Sequence, residues 1–163
     1  MKTRELLEEI RENIKDYDVG IFKKRLDDEN TDETSKLRAQ FHIQNYEEIM
    51  ELNIDEEDEC NMEIDAKLVK NIKEELAKFF EGCSPESEEP FKRFITYTCI
   101  YLSLIAKRPL HPVGIDMHNG KTVFDKKEDG ETVYYCDIKE EQSKIAKDYY
   151  TCKYCVCKAS NQK

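Results

Sequence analysis

Hydrophobic residues recur every three or four positions along the first two thirds of the chain. Such a period places apolar side chains on one face of a helix. The first stripe is formed by Leu6, Leu7, Ile10 and Ile14. We expect a helix there that ends at about Asp18, a break at Val19-Gly20, and a short second helical stretch over 21–26.

Three longer helices are predicted further along. The first carries an apolar stripe to about Met50, and its N-cap candidates are Thr31, Asp32 and Thr34. The next is capped by Asp65 and should stop at Gly82, since glycine is typical of helix C-termini. The third runs from about Pro90 to Lys107 and is apolar on most faces, so we expect it at the centre of the fold. Residues 53–65 form an acidic surface linker with Cys60 exposed.

The pattern changes after Pro109. Two runs rich in β-branched and aromatic residues, 121–124 and 131–136, flank a polar stretch that ends in Asp129-Gly130. Asp-Gly between such runs predicts a β-hairpin. Asp137 followed by Glu140 approximates a capping box, which predicts a short helix to about 148. The fold class is therefore α+β, mainly α: one domain over 1–163, with a helical body over 1–109 and a hairpin and metal-binding module over 110–158.

Composition narrows the class of protein further. The chain has 163 residues and a formal charge of −10, with 38% charged residues and no Trp. From His111 onward nine lysines balance nine acidic residues, so the whole negative charge lies on 1–110. An acidic body repels phosphate backbones, so nucleic acid is not an expected partner. A protein partner stays open, and the sequence does not indicate the oligomeric state.

Neither a secretory signal nor a membrane span is predicted. The N-terminus is a charged amphipathic helix, and the most apolar stretch, 94–106, is shorter than the roughly 20 residues that cross a bilayer. We expect a cytoplasmic protein. In that reducing compartment seven cysteines are read as metal ligands or redox thiols rather than as a disulfide framework.

The C-terminal cysteines have the spacing of a metal site. Cys152 and Cys155 form a C-x-x-C pair, and fifteen residues separate them from Cys136. This spacing is used in structural zinc sites, where four protein ligands surround the ion. The fourth ligand candidates, in order of preference, are His111, fixed between two prolines, then Cys157, then His118.

Other interpretations of these residues stay open. An iron–sulfur cluster could use Cys136, Cys152, Cys155 and Cys157, and the thiols could also have no metal role. A redox C-x-x-C is disfavoured because the pair follows a helix rather than beginning one. Cys99 is expected to be a small buried hydrophobe, and His42 a packed or surface histidine. No phosphate-binding loop, nucleophile elbow or HExxH motif is present, so catalytic residues are unknown and an enzyme is not favoured.

Three stretches together resemble a known family. They are IYLSLIAKRPLHPVG (100–114), YYC with IKEEQ (134–142) and CKYCVCK (152–158). The chain resembles an uncharacterised archaeal protein family found chiefly in methanogens, uncharacterised protein family 0305. The resemblance implies His111, Cys136, Cys152 and Cys155 as the functional set and implies no reaction. The chain departs from the family pattern at Asp137, where a proline is expected, and at 116–119, where a Phe/Pro/Gly-rich turn is expected.

Three functional hypotheses follow. The first is a structural Cys₃His zinc site that fixes the C-terminal module on an acidic helical body, which acts as a binding module. The second is a metal-dependent enzyme with an open zinc position, in which His111 or Asp116 serves as acid, base or ligand. The third is an iron–sulfur or redox protein.

Overall fold

The computed structural model describes residues 1–117, 121–139, 141 and 150–160. Five α-helices form the body: α1 (Thr3–Ile14), α2 (Gly20–Asp27), α3 (Glu33–Glu51), α4 (Ala66–Cys83) and α5 (Glu89–Ile100). A π-helical segment, Tyr101–Ala106, continues α5 without a break. Four strands follow, β1 (Asp116–Met117), β2 (Lys121–Glu128), β3 (Glu131–Cys136) and β4 (Lys158–Ala159), with a 3₁₀-helix over Tyr150–Tyr154 before β4. The α+β, mainly α, class is confirmed.

The helical body is built around α1. Its apolar stripe is at most 1% exposed and consists of Leu6, Leu7, Ile10 and Ile14. Helix α1 packs on α5 and α3, and α2 packs on α3. Arg11 of α1 donates hydrogen bonds to the carbonyl oxygens of Ile49, at 2.7 Å, and of Leu52. These bonds satisfy carbonyls that the end of α3 leaves without intrahelical partners.

Several helix ends follow the sequence signals, and two do not. Helix α1 ends at Ile14 rather than at about Asp18. The side chain of Asp32 accepts a hydrogen bond from the Ser35 amide at 2.8 Å, and Asp65 accepts one from Lys67 at 2.8 Å. Both predicted N-caps are therefore confirmed. The predicted stop at Gly82 is wrong, because α4 continues through Cys83 and is capped by Ser84, whose amide bonds to the carbonyl of Phe80.

The hairpin is confirmed and is longer than predicted. Strand β2 extends through Glu128 rather than ending at Phe124, and Glu128 pairs with Glu131 across the turn. Asp129 and Gly130 both have positive φ, 51° and 81°, as a two-residue turn of this twist requires. The sheet has the order β1-β2-β3-β4, with β4 parallel to β3. The two outer strands were not predicted.

The helix predicted after β3 lies mostly outside the described residues. Asp137–Lys139 and Glu141 are helical, whereas Glu140 and 142–149 belong to the part that is not described. The Asp137 carboxylate accepts a hydrogen bond from the Thr122 amide at 3.1 Å, which ties the start of this segment to β2. None of the described helices is long and apolar enough to cross a membrane.

Candidate metal centre and an adjoining cavity

Four cysteines meet where β3, the 3₁₀-helix and β4 come together. Cys136 ends β3, and the parallel pairing aligns it with Ala159 of β4. Cys157 directly precedes β4, Cys152 lies in the 3₁₀-helix and Cys155 follows it. Cys136 and Cys157 are buried in one small apolar cluster, and Cys155 packs against that cluster. The fold thus brings the predicted cysteines, and Cys157, to one place.

Cys155 is surrounded by groups that favour a thiolate. A hydrogen bond with the Cys157 side chain is the main cause that lowers its pKa to about 6, and burial acts in the opposite direction. The backbone N–H groups of Leu110 and Cys157, together with the charge of Lys139, lower the pKa of Cys155 further. The Lys139 ammonium also donates to the Cys155 carbonyl at 2.8 Å. Thiolate, not thiol, is the form that binds metal.

The other three thiols hold their protons more tightly. The pKa of Cys157 is raised by its hydrogen bond with Cys155 and by burial. Burial raises the pKa of Cys152 to about 11, and the negative charge of Cys155 adds to the shift. Burial likewise raises the pKa of Cys136, and the amides of Ile138 and Lys139 oppose this by hydrogen bonding. Because the charge of Cys155 acts on the other three sulfurs, the four thiols form one electrostatic group.

The expected metal knuckle is not shown by this arrangement. Within the described ranges, no three His, Cys, Asp or Glu side chains are grouped so that they could hold a metal ion as they stand. All seven cysteines carry free thiols. Cys60 is exposed, as predicted, and Cys83 is exposed as well.

The two histidine candidates have different positions. His111 lies between Pro109 and Pro112 and is exposed, and its ring borders the cavity described next. The surrounding protein shields His111 from water, and this is the main cause that lowers its pKa below the ordinary 6.5. The positive charge of Arg38 lowers the pKa further. The backbone N–H of Leu110, the neighbour of His111, donates a hydrogen bond to the Cys155 sulfur. The segment that carries His111 therefore reaches the cysteine group. His118 lies outside the described residues.

A cavity of about 510 Å³ adjoins the cysteine group. Its walls are formed by α3, α4, α5, the segment 110–112 and the 3₁₀-helix, from which Thr151 and Cys152 contribute. Cys99 also borders it and is partly buried there, where burial raises its pKa to about 12. The sequence gives no signal for this cavity, because its walls come from five separate segments.

His42 is the most enclosed of the described histidines. Its ring lies 4.7 Å from Phe22 and 5.8 Å from both Phe41 and Phe94 between centroids. Its Nδ1 atom is buried, with no hydrogen-bond partner among the described residues. Burial is the main cause that lowers the pKa of His42 to about 4, and the charges of Arg25, Arg38 and His111 add to it. The prediction of a packed histidine is accurate, and His42 also borders the cavity.

The fold and this cysteine group define a mainly helical α+β protein with a cysteine-rich C-terminal sheet. The chain belongs to the family described as "Uncharacterized protein conserved in archaea (DUF2115)", which matches residues 2–160. The predicted resemblance is thereby confirmed.

Named relatives come from methanogens. A UPF0305 protein of Methanocaldococcus jannaschii is 27% identical over 173 aligned positions, covering 99% of both chains. A UPF0305 protein of Methanococcus maripaludis strain C6 is 27% identical over 172 positions, again covering 99% of both. A UPF0305 protein of Methanothermobacter thermautotrophicus is 29% identical over 93 positions, covering 57% of this chain and 53% of the relative. No solved structure matches the chain.

Proposed function

We propose that the C-terminal module, residues 110–158, binds one zinc ion through Cys136, Cys152, Cys155 and Cys157. The ion would hold the sheet against the helical body. It would thereby stabilise the fold of a module that binds another molecule. The observation that supports this is that two separate segments bring four free thiols near one another: Cys136 and Cys157 share a cluster on which Cys155 packs, and Cys152 interacts electrostatically with Cys155 and Cys136. Soft thiolate ligands of this number favour zinc.

Zinc would have to draw these sulfurs closer together than they now lie. Metal binding and folding share free energy, so the ion itself can supply that change. The thiols would lose protons on binding, and Cys155, whose pKa is lowered by its hydrogen bond with Cys157, would lose its proton first. Four protein ligands would close the coordination sphere and leave no position for a reactive water. The proposal is therefore a structural role rather than a catalytic one.

Two residues compete for the fourth position. Cys157 is buried and bonds to Cys155, which supports it. His111 is exposed and borders the cavity beside Arg38, so the sequence preference for His111 over Cys157 is reversed in this proposal. His111 would replace Cys157 only if the segment 110–112 turned toward the sulfurs.

The test is elemental analysis and an optical spectrum of protein purified without oxygen. One zinc per chain with no visible absorption is the expected result. Cobalt substitution then counts thiolates through the sulfur-to-cobalt charge-transfer bands. Cys157→Ser should lose part of that absorption and weaken zinc binding, whereas His111→Ala and the matched control Cys60→Ser should leave both unchanged.

Other results would overturn the proposal. Iron with labile sulfide and a brown colour would assign the four cysteines to an iron–sulfur cluster. Loss of zinc in His111→Ala, with full binding in Cys157→Ser, would support the Cys₃His set. An open site would be revealed by a cobalt spectrum that changes when small anions are added, which would support the metal-dependent enzyme. Absence of any metal, and no binding of added zinc, would rule out a metal role.

A further inference from the structure

The cavity beside the cysteines has the size and lining of a small-molecule site. Its volume of about 510 Å³ lies within the range of roughly 300–1,000 Å³ found for ligand sites. Most of its wall is apolar or aromatic. The apolar part includes Leu76, Phe79, Phe80, Phe91, Ile95 and Leu102. An apolar group of a ligand would therefore be released from water when it enters.

The described part of the cavity wall carries no acidic side chain. The chain has 36 acidic residues, yet no Asp or Glu is among the described residues that border the cavity. In a protein of net charge −10, an acid-free wall of this extent marks the cavity off from the rest of the surface. An anionic ligand would meet no direct repulsion from the lining.

One cation stands at the edge of the cavity. Arg38 of α3 borders it and is exposed to solvent. Among the described residues no carboxylate forms a salt bridge with Arg38, whereas Arg4 has two such partners and Arg108 has one. Its positive charge reaches the interior, since it contributes to the lowered pKa values of both His42 and His111. A guanidinium without an internal partner is suited to bind a carboxylate in two parallel hydrogen bonds.

Two polar atoms of bordering residues lack hydrogen bonds. The Nδ1 atom of His42 and the Oγ1 atom of Thr98 are buried and have no partner in the described part of the chain. Buried polar atoms are normally satisfied, and exceptions call for an explanation. Both residues belong to the cavity wall, so two of the four such atoms in the described part of the chain lie where a ligand could supply a partner.

We propose that the cavity binds a small amphipathic anion. An aromatic or branched apolar group would fill the space between α4 and α5, and a single carboxylate or sulfonate would pair with Arg38. The proposal goes beyond the zinc site, with which the cavity shares Cys152 as a wall residue. It does not require zinc, because Arg38 and most of the apolar wall belong to the helical body.

The test compares two dyes that share their rings and differ in charge. 1-Anilinonaphthalene-8-sulfonate carries one anionic group, and N-phenyl-1-naphthylamine carries none. Both fluoresce strongly in apolar sites, and the protein has no Trp to interfere. We expect each dye to bind the full-length chain saturably at one site, with the sulfonate binding more tightly.

Three variants separate the contributions. Arg38→Gln should weaken the sulfonate by about three- to tenfold, the range of an exposed to partly enclosed ion pair, and leave the neutral dye unchanged. Arg93→Gln removes an exposed arginine of α5 that does not border the cavity, and should change neither. Ile95→Phe, which adds volume to the wall, should weaken both dyes.

Circular dichroism and thermal unfolding check that the variants are folded. Gln is nearly as good a helix former as Arg, so Arg38→Gln should remain native. Binding that never saturates, equal effects of Arg38→Gln and Arg93→Gln, or full binding by Ile95→Phe would each overturn the proposal. If folded Arg38→Gln binds the neutral dye fully but the sulfonate more weakly, the cavity is intact and the lost affinity comes from the charge of Arg38.

Discussion

His42 should make the stability of the protein depend on pH between 7 and 4. The ring is half-buried, with its Nδ1 atom fully buried, and it is neutral in the folded chain, with a pKa of about 4 against an ordinary value of 6.5. The unfolded chain therefore binds a proton below pH 6.5 that the folded chain rejects. Because the unfolded state gains that proton first, stability is lost as the pH falls.

The size of this effect follows from the two pKa values. Linkage between about 6.5 and about 4 gives a loss of about 2 kcal/mol when the pH falls from 7 to 5, and about 3 kcal/mol in full below pH 4. We expect His42→Phe to lack this loss. Phe fits among the surrounding rings, and no hydrogen bond to Nδ1 is given up.

The measurement is urea unfolding at pH 7 and pH 5, followed by far-ultraviolet circular dichroism. Carboxylates and any metal ligands titrate in both proteins, so the quantity of interest is the difference between wild type and His42→Phe. It should change by about 2 kcal/mol between the two pH values. His111→Phe should change the pH dependence in the same direction, because the pKa of His111 is lowered as well. The change should be smaller, because His111 is exposed and solvent screens the effect.

An equal loss of stability in wild type and His42→Phe would refute the reasoning. So would a titration of the His42 ring protons, followed by nuclear magnetic resonance, with a midpoint near 6.5. The first result would mean that the charged ring finds solvent in the folded state. The second would mean that burial does not control its proton.

Three further predictions concern the fold. Phe94→Ala should destabilise the protein by about 3–5 kcal/mol, because Phe94 is fully buried and its ring centroid lies 4.3 Å from that of Tyr17. Thermal and urea unfolding measure the free energy. A loss below about 1 kcal/mol would mean that the helical body collapses into the gap. Gly130→Ala should cost about 1–2 kcal/mol, because φ at this position is 81° although no atom lies within 4 Å of an added Cβ. The free energy of unfolding measures the cost. An unchanged value would show that the positive φ does not strain the alanine backbone. Asp65→Ala should cost about 1 kcal/mol by removing the cap on the Lys67 amide, with Asp65→Asn as the variant that should retain most of the stability.

Local sequence signals predicted the parts of this fold that depend on local structure. The stripe in α1, the caps at Asp32 and Asp65 and the Asp129-Gly130 turn each rest on residues a few positions apart. Short-range sterics and hydrogen bonds decide such features, so the sequence displays them directly. The C-x-x-C pair of Cys152 and Cys155 is likewise a local pattern, whereas its assignment as a metal site together with Cys136 and His111 stays a prediction.

Features made by distant residues could not be predicted in this way. Strands β1 and β4 have two residues each, too few for an alternating pattern, and they exist because β2 and β3 offer edges for pairing. Gly82 suggested a helix end, but α4 runs one residue further and ends where the Ser84 amide bonds to the Phe80 carbonyl. The cavity depends on the docking of the segment 110–112 and the 3₁₀-helix onto α3–α5, which no local pattern encodes.

The π-helical segment has a consequence for how the two halves of the molecule face one another. It joins α5 to Lys107, whose φ is 52°, and the amide of Arg108 bonds back to the Leu102 carbonyl at 3.0 Å. A π-helix accommodates an additional residue in each turn compared with an α-helix. The number of residues in the segment Tyr101–Ala106 therefore determines the direction in which the following chain leaves α5. Deleting one of them would turn the segment that carries His111 about the axis of α5, without altering any side chain on either side of the joint.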